Sequence, residues 1–387
     1  MVELPEKLQK KLLEREKNNA IRKLPSKSNL IDFSSNDYLG LAKNQEVFHN
    51  ALELLTAHNL MHNGATGSRL LSGNHMLYTQ LEKSLGTFHE VDAALVFNSG
   101  YDANIGFFSA VPQRGDIVIY DEFIHASIRD GIRLGNAKSY KFKHNDLEDL
   151  KTKILLSLRG HSGSHNPEVY IVTESVFSMD GDSPDLRKLS NYCDTNNHHL
   201  VVDEAHAVGL FGENGKGLVQ ELGLQDQVFA RIVTFGKALG CHGAAILGSE
   251  KLRDYLINYA RSFVYTTGLS PHTVATILTA YDYLQTSEGI KAQQGLKDNI
   301  DYFKRKLEYL NLESNFIPSK SAIQCCGIQG NENVNKAAQT LQAKGFDVRP
   351  IVSPTVPKGE ERLRICLHTY NSGKQIEEAL NLLQAIV

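Results

Sequence analysis

A lysine that directly follows a buried apolar segment is the residue in this chain best placed to do chemistry. Lys237 comes after the run at 232–236, Ile-Val-Thr-Phe-Gly, and precedes the small residue Ala238. A lysine amine that loses hydration has a lowered pKa and becomes a nucleophile able to form a Schiff base. The same spacing also fits a surface lysine after a buried strand, so residues upstream must decide between the two interpretations.

An acid and a histidine end an earlier apolar run. Asp203 and His206 follow the apolar residues at 200–202, which is typical of the carboxyl end of a buried parallel strand, where open α/β sheets place ligand chemistry. An acid there and a lysine after a later strand are what pyridoxal phosphate requires, because a carboxylate keeps its pyridine nitrogen protonated and an amine binds its aldehyde. The pattern predicts a pyridoxal-phosphate enzyme in which Lys237 forms the Schiff base and His206 reaches the cofactor's phenolic oxygen.

The segment Asp-Glu-Ala-His at 203–206 also matches the acidic box of a nucleic-acid-dependent ATPase. That class of enzyme needs a phosphate loop in which Gly-Lys is followed by Ser or Thr, whose hydroxyl binds magnesium. The Gly-Lys pairs at 215–216, 236–237 and 373–374 are followed by Gly, Ala and Gln. The formal net charge of −3 gives no basic footprint for nucleic acid, so the sequence favours small-molecule substrates.

Short apolar runs alternate with helical patterns between residues 82 and 249, which predicts an α/β domain with a mostly parallel sheet covered by helices on both faces. The predicted strands lie at 93–97, 117–120, 169–173, 200–203, 232–234 and 244–247. Beyond residue 271, long helices precede a mixed pattern typical of a smaller α+β domain. We therefore predict three parts, namely an N-terminal segment (1–45), a large cofactor-binding domain (46–270) and a C-terminal α+β domain (271–387).

Three residues that follow predicted strands add to the candidate site. Gly100 lies between the run at 93–97 and a helical pattern, and a strand, a glycine turn and a helix N-terminus together present N–H groups to an anion. This predicts a phosphate seat at Gly100. His125 follows another strand, where its ring suits either stacking on a flat cofactor or a structural role, and Ser178 lies at the same edge of the sheet.

Composition indicates a cytoplasmic protein without a metal centre. The five cysteines are odd in number and lack a CxxC pair, which favours reduced thiols. Residues 1–19 mix Glu, Lys and Leu without an apolar core, so they predict neither a signal peptide nor a membrane anchor. The histidines of the loop at 160–167 are predicted to be solvated, because no third metal ligand accompanies them.

Several ordered segments, spread over nearly the whole chain, resemble the α-oxoamine synthase family of fold-type I pyridoxal-phosphate enzymes. They lie at 35–41, 67–73, 125–127, 203–206 and 234–237. The resemblance implies a decarboxylative condensation of an amino acid with an acyl thioester, which releases CO2 and a free thiol. It also implies a homodimer with shared active sites.

The resemblance implies a role for each matching residue. Lys237 is the Schiff-base lysine, Asp203 pairs with the pyridine nitrogen, and His125 stacks over the ring. The remaining cofactor contacts are the phenolic-oxygen ligands Ser178 and His206, and the phosphate ligands Gly100, Tyr101, Thr234 and Thr267, the last from a second subunit.

The substrate residues and the branch of the family follow from the same resemblance. Arg364 would hold the amino-acid carboxylate with its planar fork, assisted by Asn36. Arg22 and Thr355 would contact the thioester substrate, although the segment around Arg22 can be registered in two ways. Motifs at 142–146, 233–237, 243–247 and 354–357 favour the branch that condenses L-alanine with a pimeloyl thioester, of coenzyme A or a carrier protein, in biotin biosynthesis.

Other branches remain alternatives. The segment at 125–134 resembles the branch that transfers an acetyl group to glycine. Palmitoyl transfer to serine and, more remotely, amino-group transfer on the same fold would use the same lysine and acid.

Overall fold

The computed structural model describes residues 4–22, 24, 29–159 and 167–387. The predicted solvated loop at 160–167 lies outside the described residues except for Pro167. The strands are β1 (Ile31–Asp32), β2 (Ala93–Phe97), β3 (Ile117–Asp121), β4 (Lys138–Phe142), β5 (Val169–Glu174), β6 (His199–Asp203), β7 (Ala230–Thr234), β8 (Ala244–Gly248), β9 (Ile323–Gly327), β10 (Phe346–Asp347), β11 (Arg349–Ile351) and β12 (Arg362–Cys366). The helices are α1 (Glu6–Lys17), α2 (Gln45–Ala57), α3 (Met76–Phe88), α4 (Gly100–Ala110), α5 (Ala126–Leu134), α6 (Leu147–Leu158), α7 (Leu186–Thr195), α8 (Leu218–Glu221), α9 (Glu250–Tyr259), α10 (Arg261–Val264), α11 (Pro271–Leu284), α12 (Ser287–Leu310), α13 (Asn331–Ala343) and α14 (Gly373–Gln384).

A seven-stranded sheet organises the larger part of the chain. Its order is β2-β8-β7-β6-β5-β3-β4. The strands β7, β6, β5, β3 and β4 run parallel, and β8 is antiparallel to both of its neighbours. Every residue of β5 is buried, as expected for an apolar run covered on both faces of a parallel sheet. The predicted α/β architecture with a mostly parallel sheet is confirmed.

The six strands predicted from apolar runs are all present, within two residues at each end. Sequence patterning missed β4, in which the first four residues are exposed and two of the five are lysines. This strand lies at the edge of the sheet, and charged side chains on an edge strand oppose pairing with other chains.

The chain divides into two compact units whose limits differ from those of the predicted domains. The larger comprises residues 36–178 and 182–295, and the smaller comprises 1–35, 179–181 and 296–387. The larger unit continues past the predicted boundary at 270 because α11 packs against α2 and α3.

The smaller unit has the predicted α+β composition. It contains the antiparallel sheet β11-β12-β9 and the parallel pair β1-β10, together with α1, α13 and α14. Among the described residues, no helix combines the length and the apolar character that a bilayer crossing requires.

Candidate active site

A cavity of about 260 Å³ lies at the carboxyl ends of the strands in the larger unit. Seven of the predicted site residues line it: Asn36, Gly100, Tyr101, His125, Asp203, Thr234 and Lys237. Polar side chains that follow different strands meet here because the carboxyl ends of parallel strands share one edge of the sheet. The structure therefore brings most of the predicted cofactor contacts together in one cavity.

Asp203, the last residue of β6, is a buried acid held by neutral donors. Its side chain is 5% exposed. One carboxylate oxygen accepts a hydrogen bond from the Ala205 backbone N–H (2.9 Å), and the other accepts one from Asn104 Nδ2 (3.1 Å). Burial of a carboxylate is costly unless it is hydrogen-bonded. Because neutral donors do not cancel its charge, Asp203 suits pairing with a protonated ring nitrogen.

Glu174, the last residue of β5, is a second acid in the cavity that sequence reasoning missed. It lies opposite Asp203 in the register of the two parallel strands and is 3% exposed. Burial, reinforced by the charge of Asp203, raises the pKa of Glu174 to about 8. The position of Glu174 after a buried apolar run is the same signal that singled out Asp203, so the sequence contained the information to find it.

His125 precedes α5 and is held at both its backbone and its ring. Its backbone N–H donates to Glu174 Oε1 at 2.6 Å, and its Nδ1 accepts from the Ser127 backbone N–H at 3.2 Å. Desolvation lowers the pKa of His125; Asp203 opposes this shift, while the nearby Lys237 amine adds to it. A neutral imidazole held in this way suits stacking on a flat aromatic ring.

The predicted phosphate seat has the form of an anion site. Gly100 is the first residue of α4, and Ser99 caps the helix by accepting from the Asp102 N–H at 3.0 Å. A Cβ added at Gly100 would lie 2.7 Å from Thr234 Cγ2. The Thr234 hydroxyl is buried and has no hydrogen-bond partner among the described residues. A helix N-terminus beside an unsatisfied hydroxyl fits the phosphate of the predicted cofactor.

Lys237 follows β7 in a tight turn at the cavity. The turn is closed by hydrogen bonds from the Gly240 N–H to the Lys237 carbonyl (2.9 Å) and from the Cys241 N–H to the Phe235 carbonyl (2.7 Å). Lys237 is half-buried and lines the same cavity as Asp203. This location favours a reactive lysine over a plain surface lysine after a buried strand.

Three predicted contacts in the larger unit do not line the cavity. His206 is 3% exposed, and its Nδ1 lies 2.7 Å from the Tyr38 hydroxyl. Ser178 is half-buried in the turn that follows β5. Thr267 is exposed, and its carbonyl accepts from Asn98 Nδ2 at 2.6 Å. Their predicted roles toward the cofactor therefore stay predictions.

The smaller unit holds the other predicted substrate residues. Arg364 lies on β12, is 9% exposed, and donates from Nη1 to Cys366 Sγ at 3.0 Å. Arg22 and Thr355 are brought together, since Arg22 Nη2 donates to Thr355 Oγ1 at 3.4 Å. Contact between these two residues is consistent with both of them binding the same part of a substrate.

Comparisons with known proteins identify the family of this chain. The chain matches the model of the family "Aminotransferase class I and II" over residues 28–383. It is 41% identical to an 8-amino-7-oxononanoate synthase of Emericella nidulans, with 99% of this chain and 95% of that protein aligned.

Two solved structures are similar to the whole fold. A serine palmitoyltransferase from S. paucimobilis with bound PLP matches with a TM-score of 0.88 and 27% identity, covering 100% of this chain and 98% of that one. An 8-amino-7-oxononanoate synthase from Francisella tularensis matches with a TM-score of 0.75 and 28% identity, covering 92% of this chain and 97% of that one.

Proposed function

Since the chain belongs to the class I and II aminotransferase family, we propose that it is a pyridoxal-phosphate-dependent acyltransferase of the α-oxoamine synthase type. It condenses L-alanine with a pimeloyl thioester and releases 8-amino-7-oxononanoate, CO2 and a free thiol, a step of biotin biosynthesis. The observation that carries the proposal is one cavity lined by the amine of Lys237, the carboxylate of Asp203 and the N-terminus of α4.

Lys237 has two tasks in this reaction. Its amine would hold the cofactor, and in the reaction the same amine would remove the proton from the substrate α-carbon as general base. Pyridoxal phosphate, when bound, supplies an electron-poor ring that takes up the charge left at that carbon. The overall condensation would join that carbon to the thioester carbonyl carbon as the thiolate leaves and takes up a proton. The amino-acid carboxyl group would be released as CO2, and a proton would take its place on the carbon.

The other residues of the cavity bind and orient. Asp203 would keep the ring nitrogen protonated, and its hydrogen bonds hold the carboxylate in place. His125 would stack on the ring. The N–H groups of Gly100 and Tyr101 and the Thr234 hydroxyl would hold the phosphate, while Ser178 and His206 would bind the phenolic oxygen.

Substrate recognition uses a planar cation and the paired Arg22 and Thr355. The guanidinium of Arg364 matches a carboxylate with two parallel hydrogen bonds, and we assign it to the carboxylate of alanine, assisted by Asn36. The contact of Arg22 with Thr355 supports their joint assignment to the thioester substrate.

The proposal includes a homodimer in the cytoplasm. Three large exposed apolar side chains lie between residues 61 and 71 of the larger unit, with Met61 at 71%, Leu70 at 50% and Leu71 at 85% exposure. Exposed apolar side chains of this size are consistent with a protein interface. In the dimer, Thr267 contributes to the partner's phosphate seat. The five cysteines, all free thiols, are consistent with a reducing compartment.

A substrate matrix tests the function. Alanine, glycine and serine are each combined with acetyl, pimeloyl and palmitoyl thioesters of coenzyme A and of a carrier protein, and both CO2 and free thiol are measured. We expect equal release of the two products, fastest with alanine and a pimeloyl thioester. Fastest turnover with serine and palmitoyl or with glycine and acetyl would contradict the proposed substrates, and amino transfer to a keto acid without CO2 release would contradict the reaction class.

A further inference from the structure

A chain of hydrogen bonds connects Asp203 to His125 through two residues that have no assigned role. Asn104 on α4 donates from Nδ2 both to Asp203 Oδ2 (3.1 Å) and to Ser127 Oγ (3.0 Å). Ser127 Oγ in turn lies 2.7 Å from His125 Nδ1. Asn104 is 2% exposed and Ser127 is fully buried, and both line the cavity.

The direction of the bonds follows from the donors available. The Ser127 backbone N–H donates to His125 Nδ1, so this ring nitrogen is an acceptor. The Ser127 hydroxyl accepts from the Asn104 amide, and its single hydrogen is then directed to Nδ1. A neutral imidazole whose Nδ1 accepts carries its hydrogen on Nε2. The network therefore selects one tautomer of His125.

The amide of Asn104 is oriented by the same network. Its Nδ2 faces two acceptors, whereas its buried Oδ1 has no hydrogen-bond partner among the described residues. A flipped amide would turn Oδ1 toward the carboxylate of Asp203, which cannot donate when it is ionised. An unpaired buried acceptor destabilises a fold, so this arrangement points to a role in the site rather than in stability.

We propose that Asn104 and Ser127 are positioning residues for the condensation, which orient the carboxylate of Asp203 and hold His125 in the tautomer with hydrogen on Nε2. In this tautomer Nε2 is a hydrogen-bond donor for a carboxylate or carbonyl oxygen of the substrate. The inference rests on the proposed function and adds to it a hydrogen-bonded link between Asp203 and His125.

The tautomer is measured directly in the full-length protein without cofactor. Nitrogen-15 NMR of histidine-labelled protein reports which ring nitrogen carries the hydrogen, and the His125 signals are those lost in His125→Gln. We expect a protonated Nε2 and an accepting Nδ1 in the wild type. In Ser127→Ala we expect shifted ring-nitrogen signals, because Nδ1 loses its hydroxyl donor and keeps only the backbone N–H donor of position 127. A hydrogen on Nδ1 in the wild type, or unchanged ring shifts in Ser127→Ala, would overturn the proposal.

Ser190→Ala is the matched control for Ser127→Ala. Ser190 is also fully buried, and its hydroxyl donates to Gln227 Oε1 at 2.7 Å, but it does not line the cavity. We expect this variant to leave the His125 signals unchanged. A shift equal to that of Ser127→Ala would assign the effect to general loss of a buried hydroxyl and would refute the specific role.

Cofactor binding gives an independent readout through Asn104→Ala. Alanine favours a helix more than asparagine does, so α4 is expected to remain folded. Loss of a hydrogen bond to a charged group predicts pyridoxal phosphate binding weakened by about tenfold to a hundredfold, with a shift in the visible absorbance of the bound cofactor. Wild-type protein without visible absorbance would defeat the proposed function as well, whereas wild-type absorbance with an unchanged Asn104→Ala variant would defeat only the positioning role.

Discussion

The carboxylates of Asp203 and Glu204 are adjacent in the chain and both are buried, at 5% and 0% exposure, yet their partners differ. Asp203 faces the cavity and accepts hydrogen bonds from neutral groups. Glu204 forms a buried ion pair with Arg231, in which Arg231 Nη2 and Glu204 Oε2 lie 2.6 Å apart, and it also accepts from the Val219 N–H at 2.9 Å.

The two acids illustrate two uses of a buried charge. The charge of Glu204 is compensated by Arg231, so their attraction acts within the folded protein. The hydrogen-bond donors to Asp203 are neutral, so its negative charge can still attract a cationic group of a ligand. We therefore expect changes around Asp203 to alter chemistry with little effect on folding, and changes at the Glu204–Arg231 pair to do the reverse.

Among changes in the cavity, replacement of Lys237 is expected to have the largest effect on turnover. Lys237→Ala should lower turnover by at least about 10⁴-fold, the upper part of the range for a positioned general base, and it should abolish visible absorbance of bound cofactor. The free energy of unfolding should stay within about 1 kcal/mol of the wild type. Lys374→Ala, at an 85% exposed side chain after another glycine, is the control and should retain full activity.

Asp203→Asn keeps the size of the side chain and removes its charge. We expect turnover to fall by about a hundredfold to a thousandfold, as for loss of one fixed electrostatic group in an active site, while cofactor is still bound. Rates and denaturant unfolding measured on the same preparation separate the two effects. A loss of several kcal/mol of stability together with unchanged turnover would place Asp203 with the structural acids.

Glu204→Gln tests the structural role of the second acid. Removal of one member of a buried ion pair leaves Arg231 uncompensated, which costs about 3–5 kcal/mol of unfolding free energy. Urea unfolding measures this loss, and turnover per folded molecule should be unchanged. The double variant Glu204→Met with Arg231→Met should recover most of the stability, because apolar replacements of a whole buried pair are nearly neutral.

A smaller effect is expected from pH, at His144. Desolvation alone would lower the pKa of His144, but hydrogen bonds with Asp121 and Asp182, each at 2.9 Å, outweigh it and raise the pKa to about 9. The unfolded value is near 6.5, so the folded state binds this proton more tightly. The resulting stabilisation is complete below pH 6.5 and is lost as the pH rises through 9.

Unfolding free energies of wild type and His144→Gln at pH 6, 8 and 10 test that sign. The difference between the two proteins should be largest at pH 6 and smallest at pH 10. A difference that grows as the pH rises would show that the folded protein does not hold His144 as a cation.

Much of the fold and part of the candidate site could be predicted from the sequence, because both depend on local patterns. Continuous apolar runs identified six strands of the large sheet, and the fold and family predicted from the sequence are confirmed. Lys237 and Asp203 were found because each follows such a run. The polar edge strand β4 lacked this pattern and was missed.

The remaining site residues depend on contacts that the sequence does not display. Asn104 lies within an ordinary helical segment, and its importance appears only when α4 places it between Asp203 and Ser127. Outside the candidate site, Arg231 in the apolar strand β7 did carry a signal, since a buried arginine requires a partner. The identity of that partner, Glu204, depends on tertiary structure.

The covalent bond between Lys237 and pyridoxal phosphate is the claim on which the proposed chemistry rests. Borohydride reduction of the cofactor-loaded protein, followed by proteolysis and mass spectrometry, locates that bond. We predict one cofactor mass on the peptide that contains Lys237 and none in Lys237→Ala. A reduced cofactor on another lysine, or on none, would contradict the account.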